Sequence, residues 1–164
     1  MLKKICLFTL IIVSTQLKPD MPEYASSSVS SSVQSQINHI KTQMLTIKRA
    51  WNSARIRIKL AEKASPQLYQ TVKTTLDKIV SSSTFTTKLD SLVSGQFDAI
   101  VQNSMSFSGT TTELNLSALF PNVTMNQYGQ QLFSAMANKA YCLELGKKLA
   151  QKIQELQIIV PAAQ

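Results

Sequence analysis

Apolar residues recur at alternating steps of four and three from Val33 through Ile37, Ile40, Met44, Ile47, Trp51, Ala54 and Ile58 to Ala61. On a helix of 3.6 residues per turn these steps return to one face, so the pattern predicts a single helix over about 32–64. At 1.5 Å per residue such a helix is roughly 45 Å long. Ser65-Pro66 marks its end, because a serine followed by proline opens a new helix better than it continues an old one. Within the run, Arg55 to Leu60 alternates with the period of a strand, but so short a stretch does not override the longer repeat.

The same spacing returns near the other end of the chain. Tyr128, Leu132, Ala135, Lys139, Cys142, Gly146, Leu149, Ile153, Leu156 and Val160 predict a second long helix over about 125–160, closed by Pro161. Ala135 and Gly146 are small enough to admit a close partner helix, while Met136, Ala140 and Leu143 widen the apolar face beyond a two-stranded seam. Between the long helices, Leu68, Val72, Leu76 and Ile79 predict a short helix that stops in Ser81-Ser82-Ser83. Phe85, Leu89, Leu92, Val93, Phe97, Ile100 and Val101 predict another, which tolerates Gly95 at about 1 kcal/mol and frays by Asn103. Residues 104–112 read as a Ser/Thr-rich loop, and Leu114 to Phe120 as one further turn of helix before Pro121. The fold class predicted is all-α: an elongated bundle in which two long helices bracket two or three short ones. With 164 residues, 44% hydrophobic, the chain can bury one core. Its four Gly and five Pro are too thinly spread for the closely spaced turns of a sandwich or barrel.

Three segments follow. Lys3 and Lys4 precede an apolar run from Ile5 to Val13, which falls well short of the ~20 residues that a membrane span needs. Residues 1–16 are therefore read as a signal peptide, and the protein as exported, to the periplasm or the extracellular space. Residues 17–31, with Pro19, Pro22 and a serine run, read as a flexible tether. Residues 32–164 form a single helical domain. Cys6 leaves with the signal, so Cys142 remains as a lone thiol, buried or paired between chains.

Catalytic chemistry finds little to work with. The chain has one histidine, His39, expected on a solvent-facing side of the first helix, and nine carboxylates without clustering. No spacing suits zinc or calcium, and no glycine precedes the Lys-Ser/Thr pair of a phosphate loop. No enzyme activity, cofactor or metal is expected. Asn115-Leu116-Ser117 and Asn122-Val123-Thr124 match the N-glycosylation sequon, making Asn115 and Asn122 candidate modification sites.

Charge placement carries the functional expectation. Lys41, Lys48, Arg49, Arg55, Arg57, Lys59 and Lys63 load the first helix, with only Glu62 opposing them over that stretch. At 100° per residue Lys41, Lys48, Arg55 and Lys59 fall near one another, beside the seam that carries Trp51. A solvated face that keeps the chain soluble is the plainer explanation of such charges. The functional one is a basic face that meets an acidic protein or an anionic surface of lipid or glycan, with nucleic acid not expected for an exported chain. Self-association through the seams or through Cys142 is a further expectation. The layout of signal, long helix, short helical cap and long terminal helix is similar to that of minor pilus-tip components of bacterial type IV secretion systems. The stretch from Ser65-Pro66-Gln67-Leu68 to Leu89 resembles secreted helical proteins of nematodes. No motif carries either likeness, so neither passes a residue role to this chain. The sequence thus predicts a secreted, non-enzymatic helical interaction module, with a membrane-active cationic protein and a pilus or secretion component as the alternatives.

Overall fold

The computed structural model describes residues 23–159 apart from 108 and 110–112, with side chains described from residue 31 onward. The expected signal peptide, residues 17–22 of the expected tether, Val160 and Pro161 lie outside the described residues. Among the described residues the chain forms five helices: α1 (Glu23–Ala64), α2 (Pro66–Val80), α3 (Ser83–Val101), α4 (Leu116–Leu119) and α5 (Gln127–Ile159). The architecture is all-α, with the long α1 and α5 packed together and the shorter helices between them in sequence.

Helix α1 starts at Glu23, ahead of the expected position near 32, and its backbone takes in the serine run. No glycine or proline interrupts the sequence from Glu23 to Ala64, and serine is only a few tenths of a kcal/mol poorer than alanine in a helix. A helix already nucleated by its packed part therefore propagates backward through it. Its far end is at Ala64, where Ser65 and the first-turn Pro66 open α2. The stretch from Arg55 to Leu60 is helical, and its alternation leaves Ile56 and Leu60 exposed on the outer side.

The seams meet as their spacing requires. Ile37, Ile40, Ile47 and Ala54 are buried, and Val33, Met44, Trp51, Ile58 and Ala61 are half-buried against the same core. From α5, Leu132, Ala135, Cys142, Leu149 and Leu156 are buried, with Tyr128 and Ile153 half-buried. The helices run antiparallel: the Tyr128 hydroxyl donates to the Ala61 carbonyl at 2.9 Å, and Gly146 lies opposite Ile47.

The widening of the α5 face takes a different course from the one expected. Leu143 is 44% exposed and Met136 and Ala140 are half-buried, whereas Phe133, Ala137, Tyr141 and Leu145 form a second buried stripe at steps of four. That stripe meets the cap. Phe85 of α3 packs edge-on against Phe133, with ring centroids 6.0 Å apart, and Phe107 stacks on Tyr141 at 6.2 Å. Two glutamines clip the same region to α1. The Gln36 side-chain amide donates to the Val101 carbonyl at 2.8 Å, and the buried Gln43 accepts from the Phe107 backbone N–H at 2.9 Å.

Side-chain caps fix the starts of α3, α4 and α5. The Ser82 hydroxyl accepts from the Phe85 N–H, the Asn115 side chain from the Ser117 N–H and the Asn126 side chain from the Gly129 N–H. Helix α3 ends at Val101, and Asn103 takes the left-handed conformation, φ 55°, that asparagine tolerates after a helix.

Candidate functional site

The α1 cations from Lys41 to Lys63 form no ion pairs with acids among the described residues. The ion pairs formed among the described residues are Lys73 with Asp77, Lys88 with Glu113, Lys147 with Glu144, and Lys152 with Glu155. None involves Lys41, Lys48, Arg49, Arg55, Arg57, Lys59 or Lys63, all of which are exposed. Glu62, the lone acid in that stretch, also makes none.

These cations do not form one patch. Lys41 and Lys48 stand on the rim of a groove between α1 and α5 of about 760 Å³. Met44, Leu45, Ile47 and Trp51 line it from α1, and Cys142, Leu143, Gly146, Lys147, Ala150 and Ile153 from α5. Arg55 belongs to this edge, because its guanidinium carbon sits 5.2 Å from the centroid of the Trp51 ring. Such a cation–π contact on an exposed surface is worth about 0.5–1 kcal/mol. Lys59 continues the edge one turn further, at i+4 from Arg55. Arg57 is some 200° away around the helix and lines a cleft on another side with Leu114, Asn115, Gln127 and Gln130. Arg49 and Lys63 line neither the groove nor this cleft.

The groove itself was not legible as a site. Its floor is apolar, its lips Leu45 and Leu143 are exposed, and no carboxylate among the described residues lines it. Glu144, the nearest acid in sequence on α5, bonds Lys147 at 2.7 Å. Leu45 and Leu143, large aliphatics one step off their seams beside lysines, were the available signals.

Three other expectations meet their geometry here. Cys142 is buried at 3% exposure, and desolvation pushes its thiol up from 9.0 to about 11, so at neutral pH it is a protonated, weakly reactive core group. His39 is half-buried rather than solvent-facing, and its Nε2 is buried without a hydrogen-bond partner. It shares a strip of α1 with Gln36 and Gln43, which the end of α3 and the following loop cover. Asn115 and Asn122 are both exposed, although the Asn115 carbonyl oxygen is engaged as the α4 cap.

Among the described residues no three His, Cys, Asp or Glu side chains are grouped to hold a metal ion, and no helix is long and apolar enough to cross a membrane. Comparison with protein-family models, with curated proteins and with solved structures found no match to this chain.

Proposed function

We propose that the protein is a secreted, non-enzymatic helical module that contacts an acidic partner or anionic surface through the basic edge of α1, at Lys41, Lys48, Arg55 and Lys59. The observation that carries this reading is that none of these cations forms an ion pair with an acid among the described residues. Charges placed only for solubility are commonly interspersed with the opposite sign, as on α5, where Lys147 and Lys152 each pair within a turn. Along this side of α1 the four cations are left without such pairs. Each such cation contributes about 1 kcal/mol at an anionic bilayer surface, and the attraction fades over a Debye length of about 10 Å at 0.1 M salt.

Co-sedimentation with phosphatidylcholine vesicles, with and without phosphatidylglycerol, tests the reading. Binding should require the anionic lipid, fall as salt rises, and weaken in a Lys48→Gln, Arg55→Gln, Lys59→Gln variant whose melting temperature is little changed. Equal binding by the folded variant would show that this edge is simply hydrated.

A further inference from the structure

The apolar groove alongside that edge has a chemistry of its own. We infer that it binds the alkyl chain of a single medium-chain fatty acid such as laurate, with the carboxylate held at the Lys41 and Lys48 rim. The inference shares two lysines with the proposed function but rests on the groove floor.

Size is the first support. About 760 Å³ falls within the roughly 300–1,000 Å³ typical of small-molecule sites. From Lys41 to Trp51 the groove follows α1 for about 15 Å at 1.5 Å per residue, the reach of a medium-length alkyl chain. Charge is the second. Among the described residues, the only ionisable groups on the lining besides the protonated Cys142 thiol are Lys41, Lys48 and Lys147, and the first two form no ion pair. An apolar body with a single negative end fits both features at once.

Gly146 supplies an independent third. A glycine in the middle of a helix costs about 1 kcal/mol against alanine. Close helix packing was the expected reason for it, but a Cβ built there would meet only the Ile47 Cγ2 atom, at 4.0 Å, an ordinary contact. Packing therefore does not demand the glycine. What its missing side chain does is leave the groove floor hollow between Ile47 and Ala150.

Trp51 is the chain's one tryptophan and lines the groove, so its fluorescence reports occupancy directly. Titration of the full chain with laurate below its micelle concentration should give a saturable spectral shift, and dodecyltrimethylammonium, with the same tail and the opposite charge, should give none. The Lys41→Gln, Lys48→Gln pair should weaken laurate binding roughly fivefold, as expected for two exposed charge contacts. Gly146→Leu should fill the floor and abolish the shift. Should that variant fail to fold, Leu143→Glu, at an exposed lip, should weaken binding with folding intact. Equal response to both amphiphiles overturns the inference, as does unimpaired laurate binding in Leu143→Glu. A dimer formed through this face that laurate does not dissociate overturns it too, as does capture of an acidic amphipathic helical peptide with no response to laurate. Loss of vesicle binding alone leaves it standing and counts only against the proposed function.

Discussion

Gly146 is a residue that α5 would be more stable without. Because a methyl group there meets nothing closer than 4.0 Å, Gly146→Ala should raise stability by about 1 kcal/mol, read as a shift of the urea midpoint at constant slope. A loss of stability would mean that α1 and α5 approach more closely than their seams indicate. Tyr141 allows a second test at the same scale. Burial, helped by the nearby Cys142 and Glu113 charges, pushes its hydroxyl up from 10.0 to about 12. A group whose pKa is raised by folding holds its contribution below the unfolded value and loses it as pH climbs through the folded one. Stability should therefore fall between about pH 10 and 12 for this group, and between 9 and about 11 for Cys142, since the unfolded chain ionises first. In Tyr141→Phe, which keeps the ring on Phe107, thermal melts should decline less steeply above pH 10. An unaltered decline would place the alkaline sensitivity elsewhere.

Between helices, the seam assignment predicts sharply unequal neighbours. Ile47→Asp buries an unpaired charge at a 3% exposed position and should cost several kcal/mol, whereas Lys48→Ala, next in sequence and exposed, should stay within about 0.5 kcal/mol. Equal losses in thermal melts would sink the assignment. The glutamine clip predicts something more local: Gln43→Ala strands the buried Phe107 N–H and should cost about 1–3 kcal/mol, with faster amide exchange concentrated in residues 102–107. Exchange that rises evenly over the chain would show that the clip does not hold the loop separately. These elements differ in how much of them the sequence discloses. The seams were readable because steps of four and three encode a buried face in one dimension. Ser65-Pro66 was readable because its backbone chemistry is local. The second stripe of α5 was missed because Phe133, Tyr141 and Leu145 face a cap whose position depends on Gln36 and Gln43, polar residues that carry no hydrophobic period. The groove was missed for a related reason: it exists only where two helices fail to be covered by a third.

Across the molecule, the cationic side chains of α1 account for much of the net charge of +8, while the acids sit mostly on other elements. Far-UV circular dichroism should be helical, and a strand-dominated spectrum would contradict the packing of α1 on α5 outright. The antiparallel course of those helices also decides how the fold bears load. The start of α1 and the end of α5 emerge at the same pole, with Tyr128 and Ala61 tied at the other. Force applied between handles at Ser32 and Gln157 would therefore not shear the two seams along their length. It would part them rung by rung, beginning near Ile37 and Leu156 and reaching the Tyr128 tie last, so the chain should yield at low force in an optical trap, as a zipper does.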